Sequence, residues 1–207
     1  MRDGRVEVRA PFRTPRAEID SFVASKEAWI ARNLAESSER AARRGSFTLG
    51  YGDLVTYRGK QYPIVGRQGD LVGFDEKGFF VPMGLTPEQV KNACVHIYRM
   101  LAKRDLNNRT IDVALQMHVV PYSIKVNNAK ARWGSCSHKR SINFSWRLIM
   151  ADDEVIDYVI VHELAHIIEP NHSHRFWEVV EGVLPDYAAR KARLRDLQHR
   201  LGCEDWG

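Results

Sequence analysis

An α+β fold is predicted by three features of the sequence. Two long stretches carry apolar residues at helical spacing, one over 17–44 and one from Thr86 to about Met117. Between and after them lie short apolar segments broken by glycine, proline and polar turns, the mark of small sheets. A further helical pattern between Asp152 and Pro170 is almost wholly aliphatic. The expected organisation is an N-terminal helix with a small antiparallel β unit over 1–85, followed by a larger α+β part over 86–207.

Taken in order, VEVRAPF alternates like a short strand, and Ile19, Phe22, Val23, Trp29, Ile30 and Leu34 give the first helix one apolar face that Gly45 closes. LVTYRG, YPIVGR, LVGFD and FFVPM are the strands of the β unit. Thr86 is placed to cap the long helix, with Pro87 at its first position. YSIKVNN, ARWGSC and SINFSWRL follow as strands, the last two joined by a turn over 137–140. Asp152, Asp153 and Glu154 supply cap chemistry and negative charge for the aliphatic helix. Pro170 ends that helix, a second begins near Ser173, and Pro185 opens a last, basic one.

Composition narrows the setting. Of 207 residues, 44% are hydrophobic and 28% charged, the balance of a water-soluble globular chain, and no run reaches the roughly 18 apolar residues that span a bilayer. The opening residues have no apolar stretch of the kind a signal peptide carries. Three widely spaced cysteines (Cys94, Cys136 and Cys203) fit a reducing compartment, and a cytoplasmic location is expected. The net charge of +5 leaves room for a nucleic-acid partner, although Arg40, Arg43 and Arg44, and Arg190, Lys191, Arg193 and Arg195, sit where helices usually show solvated charge.

The chemistry concentrates in VIVHELAHIIEPNHSHRFW, residues 159–177. His162 and His166 are one helical turn apart on one face, and Glu163 stands beside them. Buried without partners, such groups would cost roughly 1–3 kcal/mol each. A metal ion satisfies both imidazoles at once and leaves Glu163 to act on a water as general base. One zinc ion suits a set of imidazoles better than magnesium or calcium does. The third ligand is expected to be His172, carried back by the break at Pro170 and Asn171; His174, Glu178 and Glu181 are its rivals. The spacing of the three histidines is that of metzincin ligands, with Glu169 where those have a turn glycine. Tyr158 and His174 are candidates for oxyanion stabilisation that the sequence does not separate.

Upstream, Trp133, Gly134 and Ser135 lie on a strand where glycine permits close backbone approach. Two readings stay open: an edge that pairs with an extended peptide substrate, or ordinary packing with Trp133, Phe144 and Trp146 as core. Cys136 lacks a local base and is not expected to act as a nucleophile.

RAPFRTPRAEIDSFVASKEAWI, RWGSCSHKRSINFSWRL, VIDYVIVHELAHI and NHSHRFWEVV together resemble the YgjP-like, SprT-related zinc metallopeptidases, in the same order and over nearly the whole chain. The resemblance implies a zincin-like catalytic domain with His162, His166 and His172 as zinc ligands, Glu163 as catalytic base and a peptide or protein as substrate. Two alternatives share the metal. One is a nucleoside triphosphate pyrophosphatase, for which the chain has no G-x-x-x-x-G-K-[ST] loop. The other is a nucleic-acid-associated protein in which zinc is structural.

Overall fold

In the computed structural model, residues 6–207 are described, and the chain divides into two compact units. Among the described residues, the first comprises those up to 47 with 199–205 and 207; the second comprises 48–198 and Trp206.

In the first unit the expected single helix is two, α1 (Arg16–Ser25) and α2 (Glu27–Gly45). The ladder breaks at Lys26, whose backbone leaves the helical region at φ −108° and ψ 6°. Just before it, the Ser25 hydroxyl donates to the Phe22 carbonyl at 2.7 Å, a side-chain bond that competes with helix hydrogen bonding. Residues 6–12, the predicted N-terminal strand, form no strand, and Val6 and Val8 are exposed; among the described residues no neighbouring strand offers them a ladder.

The second unit opens with a four-stranded sheet, β1 (Leu54–Tyr57), β2 (Lys60–Arg67), β3 (Gly73–Asp75) and β4 (Gly78–Pro82), in the order β1-β2-β4-β3. Its two hairpins are antiparallel as expected, but the central pair β2–β4 is parallel. The loop after β2 carries the chain past the place of β4, so β3 lies outermost and β4, reversing from it, runs alongside β2. The β1–β2 turn has positive φ at Arg58 (49°) and Gly59 (74°), the twist-matched geometry of tight hairpins.

Helix α3 (Pro87–Gln116) begins in a reciprocal capping box: Thr86 Oγ1 accepts from the Gln89 amide, and Gln89 Oε1 accepts from the Thr86 amide at 2.8 Å. It buries Val90, Cys94, Ile97, Tyr98, Leu101 and Leu106 along one stripe. The second sheet contains β5 (Ser123–Asn127), β6 (Gly134–Cys136) and β7 (Ser141–Ser145) in the order β5-β7-β6. Strand β7 ends at Ser145, earlier than SINFSWRL implied; Trp146–Met150 form a fully buried 3-10 helix instead. Burial on every side, not alternation, governs this segment.

Helices α4 (Asp153–Ile168), α5 (His174–Val183) and α6 (Tyr187–Leu201) follow. The Asp152 carboxylate caps α4 by accepting from the Val155 amide at 3.0 Å. The start of α4 is clamped from two sides. Arg58 forms a two-pronged pair with Asp153 at 2.6 and 2.7 Å, and Arg109 of α3 reaches Asp153 at 3.0 Å and Asp157 at 2.8 Å. Gly59 lies so close that a methyl group there would sit 2.8 Å from Cβ of Asp152. Hairpin, long helix and α4 are thereby fixed as one scaffold under the histidines. Among the described residues no helix is long and apolar enough to cross a membrane.

Candidate metal centre

His162 and His166 project from the last two turns of α4, and His172 comes from the short segment between α4 and α5. The helix stops at Ile168, before Pro170, and Ser173 caps α5 by accepting from the Phe176 amide. The few residues between the two helices form the turn that returns His172 over α4. One ligand atom from each of His162, His166 and His172 lies within 4.8 Å of the others. Nε2 of His162 and Nε2 of His172 are 3.1 Å apart.

The three rings share one wall. The Phe176 ring centroid lies 5.0, 4.6 and 4.8 Å from those of His162, His166 and His172. Trp177 stacks on His172 at 5.9 Å and on Tyr187 of α6 at 5.3 Å, and the Lys191 ammonium sits 4.6 Å over its face. Sequence reasoning missed this wall; the available signal was the aromatic pair Phe176-Trp177 directly after the ligand turn.

Glu163 is 6% exposed, on the turn of α4 that carries His162. Its neighbour is β6. A methyl group at Gly134 would lie 2.5 Å from Oε1, 2.6 Å from Cγ and 2.7 Å from Cδ of Glu163, so only glycine leaves room for the carboxylate. Burial pushes the Glu163 carboxyl up to about 7, against the pull of Arg132. Burial also depresses His162, to about 3, with His166 and His172 adding to the effect. His166 is lowered by burial and by His172, opposed by the backbone at Glu169 and Pro170.

These features suit a metal. Burial disfavours a proton on His162 and His166 and keeps those two imidazoles neutral, the form that ligates. A tetrahedral zinc ion with bonds of about 2.0–2.1 Å holds its nitrogens roughly 3.3 Å apart, close to the spacing of the two facing Nε2 atoms. Three nitrogen donors without a ligating carboxylate fit zinc and disfavour magnesium or calcium.

The rival third donors stand elsewhere. His174 is on the surface, its side chain 92% exposed and paired with Glu178 at 3.2 Å, and Glu181 is exposed. Tyr158 is buried, and burial raises its hydroxyl to about 12. Cys136 is half-buried beside Glu163, and both circumstances raise its thiol, which disfavours the thiolate. Gly134, Ser135 and Cys136 pair antiparallel with β7, and among the described residues no strand occupies the other side of β6. Trp133 is half-buried, and its carbonyl accepts from the Ser145 amide at 2.8 Å, whereas Phe144 and Trp146 are fully buried core.

A family model described as "YgjP-like, metallopeptidase domain" matches residues 1–197. Two solved structures are similar over a smaller part. The metallopeptidase zymogen of Pyrococcus abyssi abylysin is 21% identical, over 44% of this chain and 92% of its own, with a TM-score of 0.41. That of Methanocaldococcus jannaschii jannalysin is 20% identical, over 45% of this chain and 95% of its own, with a TM-score of 0.40. No curated protein matches the chain.

Proposed function

Because the chain belongs to the YgjP-like metallopeptidase family, we propose that it is a zinc-dependent peptidase whose single ion is held by His162, His166 and His172, with Glu163 as general base. The observation that carries this reading is the convergence of three imidazoles within 4.8 Å beside a buried carboxylate.

Bound there, zinc supplies Lewis acidity toward a water and toward a carbonyl oxygen. Glu163 takes a proton from the attacking water and returns it to the leaving amine nitrogen. Burial of Glu163 raises its carboxyl above the ordinary carboxylate range, which favours its taking up a proton. Gly134 leaves the space in which the carboxylate stands. The free side of β6, at Gly134 and Ser135 with Trp133 just before the strand, pairs with the substrate main chain and lays the scissile bond beside Glu163. Phe176 and Trp177 hold the rings in place and keep bulk water from their faces.

The three free thiols support a cytoplasmic setting. The test is cleavage of casein by the full chain. A chelator is expected to abolish it and zinc to restore it. Zinc-dependent release of pyrophosphate from UTP, with casein left intact, would refute a peptidase.

A further inference from the structure

The second sheet has another open edge, remote in sheet order from β6. Strand β5 is outermost, and among the described residues no strand pairs with its side turned away from β7. Between that edge and α3 runs a groove of about 560 Å³. Residues 124–128 line it without a gap. Side chains of a strand alternate between faces, so an unbroken run means that the strand turns its edge, backbone included, toward the groove. On the opposite wall, Arg99, Lys103 and Asn107 stand four residues apart, one stripe of α3.

The chemistry of the walls is selective. Arg99, Lys103 and Lys125 are exposed cations, and no carboxylate belongs to the lining. A phosphate or carboxylate alone would leave the open edge of β5 unpaired, whereas a peptide brings main-chain N–H and C=O groups for that edge together with its side-chain charge. None of the lining residues belongs to the histidine cluster.

We infer that this groove is a second peptide-binding site, which takes an extended acidic segment as an added strand on β5. Its main-chain groups pair with the strand edge, and its carboxylates meet Arg99, Lys103 and Lys125. A protein engaged here is held at a point separate from the histidines. Single-stranded nucleic acid would satisfy the cations but leave the strand edge unused.

The experiment is fluorescence anisotropy on the full chain with three labelled probes: a peptide of alternating Glu and Val, the same peptide with Lys for Glu, and oligothymidylate. The acidic peptide is expected to bind best, more weakly as salt rises. The Arg99→Glu/Lys103→Glu double variant should weaken it at least roughly tenfold. A melting curve checks that variant, and Lys125→Glu decides if it is misfolded. Unchanged acidic-peptide binding in the folded variant, or preferred binding of oligothymidylate, would overturn the inference. Binding is read without turnover, so neither outcome depends on the roles of Glu163 or the histidines.

Discussion

The Glu163 carboxylate rests against the α-carbon face of Gly134, where a methyl group would come within 2.5 Å of Oε1. Helix α4 and strand β6 thus meet at the one point where strand backbone and candidate base need the same space. Gly134→Ala must push the carboxylate aside. Peptide hydrolysis is expected to fall about a hundredfold at unchanged zinc content, since a shift of about 1 Å has that effect on a catalytic group. The overpacked contact costs roughly 1–3 kcal/mol of stability. Turnover, bound zinc and urea denaturation on one preparation check all three.

The contrast between His172 and His174 gives a second expectation. His172 shares the cluster, with Nε2 at 3.1 Å from that of His162, while His174 pairs with Glu178 on the surface. His172→Ala should lose stoichiometric zinc at equilibrium with a competing chelator, and His174→Ala should keep it. Stability of the latter should stay within about 0.5 kcal/mol of the parent, as for surface changes generally.

A third concerns pH, in the metal-free chain. Glu163 has its carboxyl raised to about 7, above the ordinary carboxylate value it regains on unfolding. The folded state therefore binds the extra proton. Stability tied to Glu163 is full below pH ~4.5 and is lost as pH rises to ~7. His162, depressed to about 3, acts in the opposite sense: its contribution is present above pH ~6.5 and lost as pH falls toward ~3. Glu163→Gln removes only the first effect. Its stability advantage over the parent should be larger at pH 7.5 than at pH 4.5, by on the order of 3 kcal/mol. Urea denaturation in chelator at the two pH values measures the difference.

The clamp on α4 gives a fourth. Arg109 is partly buried and binds both Asp153 and Asp157. Arg109→Met leaves those carboxylates short of a partner and is expected to cost roughly 1–3 kcal/mol in urea denaturation. Zinc stoichiometry should hold, since the histidines lie toward the other end of the helix.

Much of the site was legible because its signals are local. Histidines four apart on an aliphatic helix, an acidic cap before it and a proline after it depend on helical geometry alone, and they locate α4 and its turn. His172 followed from the break at Pro170. What was not legible depends on contacts distant in sequence. The parallel pairing of β2 with β4, the meeting of Gly134 with Glu163 and the wall that Phe176 makes for three histidines arise only when separate elements pack. Two local readings also gave way. The predicted helix over 17–44 breaks at Lys26 beside the bond from Ser25 to Phe22, and the last strand yields to a 3-10 turn at Trp146, where burial on every side erased the alternation that marks a strand.

The central claim is that three histidines hold zinc and Glu163 moves the proton. Zinc content and peptide hydrolysis measured together on Glu163→Gln test it most directly, because the amide keeps the shape of the side chain and loses the base. The expected result is one zinc per chain, as in the parent, with hydrolysis reduced at least roughly a hundredfold. Hydrolysis at the parental rate with zinc in place would contradict the account.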